Sequence, residues 1–167
     1  MSNELILAIS GNDIFSGGGL HADLATYTTN KQHGFVAVTC LTAMTEHGFE
    51  VIPVDPTTFA QQLNSLKDVP FSAIKLGLLP NVQVADLALD YVKAHAEIPV
   101  VLDPVLVCKE THDVEVSALR DELIKFFPSV TIITPNLPEA EILTQSKIQS
   151  LDDMKEAARK LHELGAA

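Results

Sequence analysis

An α/β fold, with a doubly wound, mostly parallel sheet covered by helices on both faces, is predicted by three features of this sequence. Short apolar runs rich in Ile, Val and Leu recur along the chain, they are continuous rather than alternating, and helical patterns separate them. A strand that is apolar at every position is buried on both faces, which is the condition of a parallel sheet between helix layers. The alternation of strand and helix is the signature of a doubly wound layer.

The apolar runs occupy residues 5–9, 35–41, 51–54, 73–76, 100–102 and 130–133, and each is read as a buried strand. Helical patterns lie at 20–32, 57–66, 82–94, 115–126 and 151–164. Boundary residues agree: Asp55-Pro56 and Leu79-Pro80-Asn81 precede helices, Ser150 is placed to cap a first turn carrying Asp152 and Asp153, and Gly165 reads as a helix stop. No internal repeat, low-complexity tract or linker stands out, so one α/β domain over residues 1–167 is expected. The pattern calls for another strand after Leu164-Gly165, which makes this chain the expected N-terminal portion of a larger sheet whose C-terminal part is missing. The competing expectation is a complete small protein closed by a final helix.

With 167 residues, 47% apolar and 20% charged, the chain can bury most of its unfolded surface in one compact unit. Eleven basic residues against 22 acidic ones leave a net charge of −11 at pH 7. Such a field repels nucleic-acid phosphates and anionic lipid, so neither nucleic acid nor membrane is an expected partner. An anionic substrate such as ATP then needs local help from glycine-rich backbone, helix N-termini and a divalent cation. The two cysteines, Cys40 and Cys108, make neither a disulfide framework nor a metal-site pair, and reduced thiols in the cytoplasm are expected. The start Met1-Ser2-Asn3-Glu4 lacks the basic region of a signal peptide, and no apolar run approaches membrane-spanning length.

Three stretches can carry chemistry. The first, Ser10-Gly11-Asn12-Asp13-Ile14-Phe15-Ser16-Gly17-Gly18-Gly19, joins a strand to a helix that carries Asp23. Glycine-rich backbone at such a turn lets a ligand approach main-chain N–H groups, although a flexible turn without ligand has the same pattern. It has neither the Gly-Lys-Ser/Thr of a phosphate loop nor the spacing of a dinucleotide fingerprint. In the second, Val101-Leu102-Asp103-Pro104-Val105-Leu106-Val107-Cys108-Lys109, an apolar strand runs into an aspartate. Ligands of open parallel sheets gather beyond the carboxyl ends of strands, where Asp103 can face a metal or a phosphate; alone, Asp-Pro is as readily a turn. Lys109 can neutralise phosphate or be one more solvated lysine, and Cys108 can be a pocket thiol or a small core residue. In the third, Thr134-Pro135-Asn136-Leu137-Pro138-Glu139, the amide and carboxylate are three residues apart at a helix start. They can face one Mg²⁺ through its waters, or they can form a helix cap with Glu139 at the third position. The six histidines are scattered; His47 alone sits in a turn between two apolar runs, where it can cover a pocket.

At these stretches, and at Ile74-Lys75-Leu76-Gly77-Leu78-Leu79, the sequence resembles the vitamin kinases of the ribokinase-like superfamily, in the branch shared by hydroxymethylpyrimidine kinases and pyridoxal kinases. The departures are Ser10 for Ala, Ser16 for the first glycine of the loop, and Leu78 for Met. The resemblance implies that Gly11, Asp13 and Gly19 line the vitamin site with Val105, and that Asn136 and Glu139 hold Mg²⁺ and the nucleotide phosphates. Asp103 and Lys109 are then near the phosphates, with Asp103 and Glu139 the metal-facing carboxylates. Met44 stands where pyrimidine kinases generally have Gln, and Val107-Cys108-Lys109 matches the pyridoxal kinases of the branch. The short turn over residues 45–50 is instead like that of the pyrimidine kinases. The implied activity is ATP-dependent phosphorylation of the hydroxymethyl group of pyridoxal, pyridoxine or pyridoxamine, with Mg²⁺ and ATP, in a homodimer. The alternatives are a hydroxymethylpyrimidine/phosphomethylpyrimidine kinase and, from another class, a non-catalytic vitamin-binding fragment. The family's general base lies in a glycine-rich loop expected beyond Ala167, so no catalytic residue is assigned within the chain.

Overall fold

The computed structural model describes residues 4–106 and 113–167. Five strands form one parallel sheet in the order β2-β1-β5-β6-β7. They are β1 (Leu5–Ser10), β2 (His33–Val38), β5 (Ala73–Leu76), β6 (Val100–Leu102) and β7 (Ile132–Ile133). A separate antiparallel hairpin is made by β3 (Cys40–Thr45) and β4 (Gly48–Pro53). The helices are α1 (Gly19–Thr29), α2 (Pro56–Ser65), α3 (Val82–Ala94), α4 (Asp113–Ile124), α5 (Leu137–Thr144) and α6 (Leu151–Glu163).

From β1 the chain crosses through α1 to β2 on one side, whereas β5, β6 and β7 succeed one another on the other side. Right-handed crossovers in opposite directions put α1 on one face and α3 and α4 on the opposite face. The direction therefore reverses between β1 and β5, and the crevice beyond their carboxyl ends is the natural ligand site of such a sheet.

The expected runs at 5–9, 73–76 and 100–102 are strands of the sheet, and the core they make is apolar. Leu7, Ile9, Ile74, Leu76 and Leu102 are fully buried and pack with Phe59, Phe126 and Phe127. Burying each such side chain is worth roughly 1.5–3 kcal/mol, which makes the apolar continuity of the strands the main source of order.

Three strand expectations need correction; the run at 130–133 is strand only at Ile132–Ile133, with Ile132 exposed. Residues 35–41 are not one strand: β2 stops at Val38, and Thr39 turns the chain by donating its backbone N–H to Ser10 O at 2.9 Å and its hydroxyl to Leu78 O at 2.6 Å. The run at 51–54 is no core strand either, because β4 pairs with β3 outside the main sheet and half-exposes Val51. Two adjacent short runs can hydrogen-bond to each other in a hairpin, a choice that local hydrophobicity does not reveal. The expected helix 20–32 also ends early, at Thr29, since Lys31 adopts φ +60° and His33 must donate to Glu4 O at 2.9 Å to start β2.

The helix starts expected after Asp55, Asn81 and Ser150 are all capped. Asp55 Oδ1 accepts the N–H groups of Thr57 and Thr58 at 2.9 and 3.2 Å, Asn81 Oδ1 accepts that of Val84 at 2.9 Å, and Ser150 Oγ accepts that of Asp153 at 3.1 Å. Each satisfies donors that the first helical turn leaves without partners.

Candidate functional site

The loop after β1 is built around Asp13. Its Oδ1 accepts the Phe15 N–H at 2.9 Å and its Oδ2 accepts the Gly18 N–H at 3.0 Å. Leu20 N–H donates to Gly11 O at 3.0 Å, closing the loop onto the start of α1. Gly19 makes this possible: its φ is +59°, and a Cβ there would overlap the Gly11 carbonyl oxygen. Ser16 takes the other left-handed position of the loop, with φ 57°.

This loop, the ends of β5 and β6, and the inner face of the hairpin enclose a cavity of about 300 Å³ at the switch point between β1 and β5. Gly11, Asp13, Gly19, Asp103 and Val105 all lie in its wall. Thr42, Phe49 and Val51 close it from the hairpin side. Ile14 N–H donates to Thr42 Oγ1 at 3.0 Å and thereby ties the hairpin to the glycine loop. A second cavity, of about 420 Å³, shares Val51, Leu78 and Val105 and runs toward α4.

Lys75 is the residue whose importance the sequence reading passed over. It interrupts the otherwise apolar β5, a costly choice for a central strand, and that interruption was the available signal. Its Nζ lies 3.1 and 3.2 Å from the two carboxylate oxygens of Asp23 on α1 and 3.9 Å from Asp103 Oδ2 on the strand beyond. Burial pushes the Asp103 carboxyl above its ordinary range, Lys75 opposes that shift, and Asp23 adds to it.

Asn136 and Glu139 lie at the start of α5, beyond β7. Asn136 Oδ1 accepts the Glu139 N–H at 3.0 Å, and Glu139 Oε2 accepts the Asn136 N–H at 2.8 Å. This capping box occupies the amide oxygen and one carboxylate oxygen with the backbone. The helix-cap reading of this stretch is therefore formed. Glu139 is only 4% exposed, and burial raises its carboxyl above the usual range; the Asn136 N–H opposes that shift and Asp103 adds to it. Asp103 and Glu139 therefore feel each other electrostatically at the ends of neighbouring strands.

Two expected site residues stand apart. Met44 pairs across the hairpin with Phe49 and so shares its face, yet it is 60% exposed and is not part of the cavity wall. His47 is corrected from a pocket cover to a hairpin-tip residue: its side chain is 76% exposed beside Glu46, and its N–H donates to Thr45 Oγ1 at 3.0 Å. His47 lies at the hairpin tip, whereas Met44 is directly across from Phe49, which lines the cavity. Cys108 and Lys109 lie outside the described residues.

The site thus joins glycine-loop backbone, an open-mouthed, ring-sized cavity and two burial-perturbed carboxylates at one end of a parallel sheet. Such a combination defines an α/β protein that can seat a small ring beside a charged, phosphate- or cation-binding rim. Comparison with known proteins agrees. A model of the phosphomethylpyrimidine kinase family matches residues 13–167, and the chain belongs to that family. It is similar to the pyridoxine kinase of Bacillus subtilis (strain 168), 38% identical over an alignment that covers 99% of this chain and 64% of the relative. It is also similar to the hydroxymethylpyrimidine/phosphomethylpyrimidine kinase of Aquifex aeolicus (strain VF5), 34% identical over 97% of this chain and 65% of the relative. The crystal structure of Bacillus subtilis pyridoxal kinase as an ADP complex matches with a TM-score of 0.90 at 37% identity, covering 99% of this chain and 64% of that one. Staphylococcus aureus pyridoxal kinase, solved with AMP-PCP and pyridoxal, matches with a TM-score of 0.89 at 30% identity, over 99% of this chain and 61% of that one. The fold is ribokinase-like, and the chain spans just under two thirds of the length of these relatives.

Proposed function

We propose that the protein is a vitamin B6 kinase, transferring the γ-phosphoryl group of ATP to the hydroxymethyl oxygen of pyridoxal, pyridoxine or pyridoxamine. The observation that carries this reading is the position of Asp103, in the cavity wall, ion-paired with Lys75 and coupled to Glu139 at the next strand end. Substrate and phosphate rim are then adjacent, as in-line transfer requires.

In this reading Gly11, Asp13, Gly19 and Val105 hold the vitamin ring. Asp13 does so indirectly, since its carboxylate holds the loop amides. Met44, directly across the hairpin from Phe49, belongs to the mouth of the site when substrate is bound, and Cys108 and Lys109 are assigned to the vitamin and to the phosphates by the sequence resemblance alone. Asp103, Asn136 and Glu139 face the nucleotide. A Mg²⁺ ion fits this rim: Asp103 and Glu139 are hard oxygen donors whose raised carboxyl values mark poorly solvated charge. Among the described residues no three His, Cys, Asp or Glu side chains cluster as a metal site. Phosphate oxygens and water supply the remaining ligands, as is usual for Mg²⁺. The metal, when bound, supplies neutralisation of phosphate charge. What the chain's own groups do is position the alcohol and hold the two carboxylates at the rim, Glu139 buried and Asp103 partly exposed.

Hydroxymethylpyrimidine is the second candidate, favoured by the Aquifex aeolicus relative and by the family match. Met44, which offers no amide to a pyrimidine edge, supports the pyridine ring instead. A homodimer in the cytoplasm completes the proposal; Leu41 and Ile52, exposed on the outer face of the hairpin, are apolar surface that a partner would cover. Among the described residues no helix is long and apolar enough to cross a membrane. The deciding measurement is phosphorylation of pyridoxine and of hydroxymethylpyrimidine by the intact gene product at saturating Mg-ATP. Faster kcat/KM for pyridoxine is expected, and exclusive use of the pyrimidine overturns the assignment.

A further inference from the structure

Lys75 holds more than a structural ion pair. Its ammonium has three N–H donors, and the Asp23 carboxylate at 3.1 and 3.2 Å engages at most two of them. Asp103 Oδ2, at 3.9 Å, is within ion-pair range but outside hydrogen-bond range. At least one donor is therefore left for the cavity, whose wall includes Lys75. Gly77 keeps this space open: a Cβ there would overlap Ser10 Oγ and come within 3.2 Å of Lys75 Nζ.

A lysine in the central strand of a parallel sheet is expensive, and a fold that needed only packing is served as well by an apolar residue. Lys75 is also the one cation among the described residues of the cavity wall, in a chain of net charge −11. An anionic ligand oxygen entering the cavity finds its favourable partner there.

We propose that Lys75 is a ligand-reading residue that donates its remaining N–H to a ring-borne anionic oxygen, such as the deprotonated hydroxyl of a 3-hydroxypyridine. This deepens, and rests on, the vitamin B6 reading above. A 3-hydroxypyridine is acidified by its own protonated ring nitrogen and carries such an oxygen at neutral pH, whereas a 4-aminopyrimidine has none. Lys75 then contributes to choosing the ring as well as to holding Asp103.

Calorimetry on the protein, with pyridoxine and its 3-deoxy analogue, tests this; neither probe has an aldehyde, so imine formation with the lysine does not intervene. Lys75→Met is expected to weaken pyridoxine binding about 10- to 100-fold, the range of a hydrogen bond to a charged group, and to change 3-deoxypyridoxine binding by less than about threefold. Lys75→Met leaves the Asp23 carboxylate unpaired, so Lys75→Met/Asp23→Asn, which removes the pair as a unit, is measured beside it with the same expectation. Equal losses for both ligands, or no loss for pyridoxine, overturn the proposal while leaving the kinase reading intact. Failure of the unsubstituted protein to bind pyridoxine overturns both.

Discussion

Glu139 and Asn136 hold each other's backbone: Asn136 Oδ1 accepts the Glu139 N–H at 3.0 Å and Glu139 Oε2 accepts the Asn136 N–H at 2.8 Å. The two side chains proposed to meet the nucleotide are thus also the cap of α5, and a variant at either position tests two roles at once.

The roles separate by choice of substitution. Asn136→Ala removes the cap and is expected to cost about 1 kcal/mol of stability. Glu139→Gln keeps an acceptor for the Asn136 N–H but removes a buried charge. Because the folded Glu139 carboxyl is raised, its contribution is present at low pH and is lost as pH rises through the raised value. Glu139→Gln should therefore match or exceed the parent protein in stability at neutral pH, while Mg-nucleotide affinity falls. Thermal melting and calorimetry of the one variant report both effects.

The glycine loop predicts opposite outcomes at two left-handed positions. Gly19→Ala is expected to destabilise by more than about 1 kcal/mol, since φ +59° is strained for alanine and its Cβ meets the Gly11 carbonyl. Ser16→Gly, at φ 57°, is expected to raise stability by up to about 1 kcal/mol. Urea midpoints at constant slope give both signs.

Edge strand β2 is secured by one side chain of α2. Gln62 Oε1 accepts the Val38 N–H at 2.8 Å and Gln62 Nε2 donates to Val38 O at 3.0 Å. Gln62→Leu is expected to cost about 1–3 kcal/mol by leaving this part-buried peptide unsatisfied. Faster amide exchange at Val38 is the local readout.

Acid sensitivity should centre on the joint between α5 and α6. The Ile148 N–H and Lys147 hold the Glu141 carboxyl below its ordinary value, and the Gln149 N–H with Ser150 does the same for Asp153. A depressed folded value contributes stability that is present above the ordinary carboxylate range and is lost as pH falls through the folded value. In Glu141→Gln/Asp153→Asn, the fall in melting temperature on the acid side should be shallower than in the parent protein. An unchanged acid slope would count against this account.

The parts of the molecule legible in sequence were those set by local chemistry. Continuous apolar runs located β1, β5 and β6, and Asp55, Asn81 and Ser150 were recognisable as caps because each acts within three residues of itself. Asp103 was placed correctly because a strand running into an aspartate puts it at the carboxyl edge. The hairpin was misread because apolarity at 35–41 and 51–54 does not state which strand each will pair with. His47 was misjudged for a related reason: how far a hairpin projects is set by its register.

What the sequence alone determined is the layered α/β class, the capped helix starts and the edge to which the functional groups belong, for these follow from burial periodicity and short-range hydrogen bonding. Only the tertiary structure decided that β1 and β5 are neighbours, that Lys75 thereby reaches both Asp23 and Asp103, and that the hairpin closes the cavity over them. Strand order depends on contacts between residues far apart in the chain, such as the 52 positions between Asp23 and Lys75, and no local propensity encodes it.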